Sequence, residues 1–105
     1  MIEAATDIVS FTAGRARADL DRDRMLALAL ARAIEIFGEA AAKTSAEARK
    51  KLPAVAWGLA AGMRNRLAHA YFDIEYDLLW STATKEIPPL LPLLRAALAA
   101  DESPR

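Results

Sequence analysis

The stretch Met25-Leu26-Ala27-Leu28-Ala29-Leu30-Ala31-Arg32-Ala33-Ile34-Glu35-Ile36-Phe37-Gly38-Glu39-Ala40-Ala41-Ala42-Lys43 decides the fold. Met25, Leu28, Ala29, Arg32, Ile36, Phe37 and Ala40 recur at helical spacing and form one stripe, which Leu26, Leu30, Ala33 and Ile34 widen. A helix apolar around so much of its circumference is expected to be buried on more than one side. Glycine costs stability inside a helix, so a close helix contact is the expected reason for Gly38.

Working outward toward the N-terminus, the charged run Arg15 to Arg24 precedes this helix, with Asp19 or Asp21 placed to cap it. Before that run, Ile2, Ala5, Ile8, Val9 and Thr12 predict a short helix that stops at Gly14. On the other side, Thr44-Ser45-Ala46-Glu47 has the spacing of a capping box and starts a basic turn over Glu47 to Lys51. Pro53 ends that turn and opens a helix from Ala54 to about Tyr71. Asp73 can cap a further helix through Tyr76, Leu79, Trp80 and Ala83, which Pro88-Pro89 stops. Leu90 to Ala100 forms a last helix with Pro92 in its first turn, and Asp101 to Arg105 reads as a frayed tail. No segment alternates with period two. The expectation is an all-α, up-and-down bundle of four main helices plus short ones, a single domain over residues 1–100.

Composition bounds what such a bundle can do. The chain has 105 residues, 54% hydrophobic and 27% charged, enough for one modest core. Its 14 basic and 14 acidic residues cancel, so any contact with RNA must come from a local patch. Cysteine is absent, which excludes disulfides and thiolate metal sites, and one histidine argues against a histidine-rich metal site. No stretch is long and apolar enough to span a bilayer, and the start lacks a basic region followed by an apolar run. The chain reads as cytoplasmic.

Chemistry concentrates in Arg64-Asn65-Arg66-Leu67-Ala68-His69-Ala70-Tyr71, which holds the lone histidine. Histidine can gain or lose a proton near neutrality. Arg64 offers a planar charged fork that matches a phosphate, and Asn65 and Tyr71 can donate hydrogen bonds. On an ideal helix Arg64 and Tyr71 lie almost on one stripe, whereas His69 sits roughly 140° round from Arg64. Asn65, Arg66, Phe72 and Asp73 are its same-face neighbours. A site using both Arg64 and His69 needs a wrapped arginine, a loosened helix or a wide groove. Taken alone, a single histidine is more often a satisfied core or surface residue. Tyr71, Phe72, Tyr76 and Trp80 likewise read as core or interface aromatics at helical spacing. Arg49, Lys50 and Lys51 read as a solvated face that could also support RNA at its phosphates.

The eight-residue stretch resembles the Arg-x4-His-x-Tyr signature of the HepT-like branch of the HEPN family. Ala33-Ile34-Glu35-Ile36-Phe37-Gly38-Glu39-Ala40-Ala41 is similar to that branch's Gly-Glu-Ala helix, and Pro53-Ala54-Val55-Ala56-Trp57 to the segment that leads into its motif helix. Tyr71-Phe72-Asp73-Ile74, Trp80 and Ile87-Pro88 echo the branch's segment beyond the motif, so the resemblance covers roughly residues 20 to 95.

The resemblance implies a HEPN-like fold and a metal-independent endoribonuclease toxin of a toxin–antitoxin pair. It implies as partner a small nucleotidyltransferase antitoxin with the MNT-type fold. Arg64 and His69 match the catalytic pair, Asn65 the polar residue after the arginine, and Tyr71 the tyrosine the antitoxin modifies with AMP. Asn65 and Arg66 are expected to support substrate. No cofactor is expected, since RNA carries its own nucleophile in the 2′-OH. One chain cannot supply a histidine base and a histidine acid together, so a homodimer with a composite site is expected. An alternative is a non-catalytic nucleotide-binding subunit that docks the nucleotidyltransferase. A third is a purely structural oligomerisation domain.

Overall fold

The computed structural model describes residues 1–51, Trp57, Gly62 and 76–102. The described part is all-α, with no strand among the described residues. Helix α1 spans Ile2–Thr12 and ends at Ala13, followed by Gly14 at φ 70°, a left-handed conformation that favours glycine. Its length and stop agree with the periodicity. A one-turn helix, α2, spans Asp19–Arg22, and the long helix α3 spans Arg24–Ala42.

The cap of α3 differs from the expected Asp19 or Asp21. Asp23 holds that place, its side chain accepting from the Leu26 backbone N–H at 3.1 Å. Asp19 instead accepts from the Ala16 N–H at 2.8 Å and closes the preceding turn. The run offers three aspartates within five residues, and only Asp23 stands directly ahead of the first residue of α3.

The core face of α3 is Leu26, Leu30, Ala33, Ile34, Phe37 and Ala41, with Gly38 also buried. This corrects the stripe that spacing predicts. Met25, Leu28 and Ile36 are 81%, 48% and 43% exposed. Leu30 lies about 140° round an ideal helix from Met25, so the true core face is the flank of the predicted one. Arg32, in the middle of the predicted stripe, pairs with Glu35 at 3.3 Å on the surface.

Helix α4 spans Ala46–Lys51. Its cap is Ser45, whose Oγ accepts from the Ala48 N–H at 3.1 Å; the cap falls one residue after the expected Thr44, and Ala48 has no side-chain acceptor to complete a box. The Thr44 hydroxyl turns back and donates to the Ala40 carbonyl at 2.9 Å. Helix α5 spans Tyr76–Ser81 and continues as a π-helical stretch over Thr82–Glu86, closed by the Ile87 N–H on the Thr82 carbonyl at 3.1 Å. Pro88 and Pro89 form the next turn, as expected. Helix α6 spans Leu90–Glu102, past the expected end at Ala100, because Ala100, Asp101 and Glu102 all tolerate a helix and the next breaker is Pro104.

The core joins Ala4, Ala5 and Ile8 of α1 to α3, with Leu20, Leu79, Ala83, Ile87, Leu91 and Leu94 closing it. Each fully buried Leu, Ile or Phe contributes roughly 1.5–3 kcal/mol by leaving water. Half-buried Trp57 and Tyr76 pack against this core from either side of residues 58–75. The rest of the expected motif helix, Ala54 to Tyr71, apart from Trp57 and Gly62, and the Asp73 cap lie outside the described residues. Among the described residues no helix is long and apolar enough to cross a membrane.

Candidate active site

Arg64, Asn65, Arg66, His69 and Tyr71 all lie outside the described residues. The described structure gives the contacts of Trp57, which precedes them in sequence, and of Tyr76, which follows. Trp57, seven residues before Arg64, and Gly62, two before it, are both helical.

Before the motif, Arg49 joins α4 to the end of α3. Its Nη2 donates to the carbonyls of Ala41 at 2.9 Å and Ala42 at 3.2 Å, and its Nε donates to that of Thr44 at 3.1 Å. These acceptors stand where a helix C-terminus leaves carbonyls short of donors and carries partial negative charge. The guanidinium also lies 5.8 Å from the centre of the Trp57 ring, within cation–π range. Trp57 returns the contact through its indole Nε1–H, which donates to the Arg49 carbonyl at 3.3 Å. An open cavity of about 490 Å³ adjoins this junction, lined by Met1, Thr44, Glu47, Trp57, Leu94 and Leu98 among others.

After the motif, Arg17 plays a similar part. Its Nε donates to Asp77 Oδ1 at 2.7 Å and its Nη1 to Asp21 Oδ2 at 3.2 Å, while its guanidinium lies 5.6 Å from the Tyr76 ring centre. The hydrogen bond to Asp77 raises the Arg17 pKa above its ordinary value, opposed by partial desolvation and helped by Asp21, so Arg17 stays charged at any working pH. This junction is more open to water, with the Asp77 side chain 87% exposed.

The sequence suggests a solvated basic face for Arg49. The structure holds it half-buried, while Lys50 beside it is exposed. Nothing in local spacing marks this role, because the aromatic partner lies eight residues on, beyond Pro53. Arg17 is equally silent in the sequence, since Asp77 stands sixty residues away.

The described residues pack as an all-α core, which places the chain among helical bundle domains. The chain belongs to the HepT-like ribonuclease family, matching it over residues 1–97. It is 36% identical over 90 residues to a "Putative RNase" of Methanocaldococcus jannaschii, covering 86% of this chain and 83% of that one. A "Putative RNase" of Caldanaerobacter subterraneus subsp. tengcongensis is 42% identical over 72 residues, 69% of this chain and 64% of its own. A "Probable ribonuclease HepT" of Thermococcus cleftensis is 39% identical over 62 residues, 59% and 56% of the two chains. No solved structure matches the chain.

Proposed function

We propose that this chain is a metal-independent endoribonuclease, the toxin of a cytoplasmic toxin–antitoxin pair. The observation that carries the reading is the family match over residues 1–97, which spans the whole Arg64–Tyr71 motif. In this reading His69 moves the proton and Arg64 holds the scissile phosphate, stabilising the added charge of the pentacoordinate transition state. The ribose 2′-oxygen loses its proton to a base and bonds to phosphorus. The P–O5′ bond breaks, and an acid protonates the leaving oxygen. The products are a 2′,3′-cyclic phosphate and a 5′-hydroxyl, and no water or metal enters the step. Asn65 and Arg66 support the substrate.

Base and acid are both needed, and each chain has one histidine. A homodimer that sets two motif helices across one groove supplies both, along with two Arg64 side chains. The proposed antitoxin is an MNT-type nucleotidyltransferase that places AMP on Tyr71. The added phosphodiester would repel RNA phosphate and block the groove.

The test is to incubate the purified chain with RNA in EDTA and to analyse the fragment ends. Cyclic phosphate ends from wild type, with none from His69→Ala of unchanged helix content, support the reading. An absence of cleavage by wild type removes it and favours the docking-subunit alternative, which zero net charge suits, whereas full activity in His69→Ala removes the role given to His69. The regulatory part has its own readout. With partner enzyme and ATP, wild type should gain the mass of one or more AMP groups and Tyr71→Phe none; modification at another residue refutes the assignment.

A further inference from the structure

We propose that the groove between α1 and the outward side of α3 docks a second copy of this chain, with each copy's Arg32 entering the other's groove beside Asp7. This pairing goes beyond the homodimer of the ribonuclease reading by naming a surface among the described residues, and it does not depend on that reading.

Helices α1 and α3 run antiparallel. The Thr44 hydroxyl, just past the end of α3, reaches the Met1 sulfur at 3.8 Å, while Phe11 and Ala13 share a hollow with Met25 and Ala29 near its start. Between the two helices lies an open groove of about 480 Å³, lined by the small residues Ala4, Ala29 and Ala33 and bordered by exposed Phe11 and Ile36. Its α1 side carries Glu3 and Asp7, both exposed and neither in an ion pair among the described residues. An acidic wall beside an apolar floor suits an occupant that is apolar and basic.

The outward side of α3 is such an occupant. Met25, Leu28, Arg32 and Ile36 are all exposed and follow the spacing of a helix-packing seam. The Arg32 side chain is 62% exposed, and its surface pair with Glu35 at 3.3 Å leaves donors for a second carboxylate. A charged residue on an apolar seam fixes the register of packing.

One register satisfies both helices. Two α3 helices set antiparallel about a two-fold axis level with residues 30 and 31 place Met25 opposite Ile36, Leu28 opposite Ala33, and Arg32 opposite Ala29. The longer side chains of Leu28 and Arg32 thus each meet an alanine of the facing groove. Ala29 shares that groove with Phe11 and Asp7, which stand one turn apart on α1. The arriving guanidinium therefore finds a ring and a carboxylate together. Symmetry makes every contact twice and closes the pair, so no further copy is recruited. Ridge and groove lie on one face of one chain, which is why the occupant is a second copy.

The experiment is sedimentation equilibrium of the full-length chain, of Arg32→Glu, of Asp7→Arg, and of the two variants mixed in equal amounts. Both sites are exposed, so circular dichroism should show unchanged helix content. Wild type should dimerise reversibly. Arg32→Glu sets two acids against each other and Asp7→Arg two arginines, twice per pair, so each should raise the dimer Kd about tenfold or more. In the mixture every such contact is again arginine against acid, and a heterodimer should form with a Kd within about threefold of wild type. A wild type that stays monomeric up to roughly 100 μM overturns the proposal. Undiminished dimerisation of both variants also overturns it, because the copies then meet elsewhere. So does a loss in both variants that mixing does not restore, since Arg32 and Asp7 are then not opposed across the pair. RNA cleavage is not read, so failure of the ribonuclease reading leaves this result standing.

Discussion

The two faces of α3 are made of the same residue types and have opposite fates. Leu30, Ile34 and Phe37 are fully buried, whereas Met25, Leu28 and Ile36 stand in solvent. Hydrophobicity does not separate them. What does is the position of the partners: α1, α2 and α5 all pack on the Leu30 side, and the α5–π stretch and α6 complete the same core through Ala83, Ile87, Leu91 and Leu94. Among the described residues, the outward side borders a shallow groove shared with Glu3, Asp7 and Phe11 of α1. Apolar character therefore makes a helix buriable, and topology decides which side is buried.

The strongest way to test that contrast is at Phe37, the largest fully buried side chain among the described residues. Phe37→Ala removes its contacts and leaves a cavity in the core, so a loss of about 3–5 kcal/mol is expected. Urea unfolding followed by circular dichroism reads it. A loss under about 1 kcal/mol would mean that the inward face carries no more weight than a surface patch.

How much of this is legible in the sequence can be argued from the same helix. Residue identity and spacing give α3 its existence and extent, but not its azimuth, because a helix apolar nearly all round satisfies the spacing rule on more than one stripe. Arg32 in the predicted stripe is the available warning, since an arginine paired with Glu35 belongs in water. Caps are legible in type and displaced in place: Asp23 in place of Asp19 or Asp21, Ser45 in place of Thr44. Short runs of Asp, Ser and Thr offer adjacent candidates of similar strength, and the choice depends on where the chain turns. The Arg64–Tyr71 motif stands out in the sequence because its residues are adjacent, though it lies outside the described residues. The Arg49–Trp57 and Arg17–Asp77 junctions do not, since each joins residues that only the fold brings together.

A smaller effect is expected at the start of α3, where both faces depend on one cap. Asp23→Ala should cost about 1 kcal/mol, within a usual range of roughly 0.5–2, by leaving the Leu26 N–H without its acceptor. Asp21→Ala, at an exposed site, should cost less. Thermal unfolding of the two variants side by side gives the order, and a greater loss at Asp21 would return the cap to the position that the sequence predicts.

The smallest effect is expected on the outward face, and it probes the contrast most directly. Ile36 is 43% exposed, so Ile36→Ser should change the stability of the single chain by no more than about 0.5 kcal/mol. The measurement is urea unfolding at several protein concentrations. A midpoint that rises with concentration in wild type shows that folding is linked to association. If Ile36→Ser then removes that dependence, the outward stripe is covered by a second subunit, and both faces of α3 are buried after all. If the dependence survives Ile36→Ser, the subunits meet elsewhere and the outward stripe stays in water. With no dependence and a loss inside about 0.5 kcal/mol, the two faces differ as the single chain shows them.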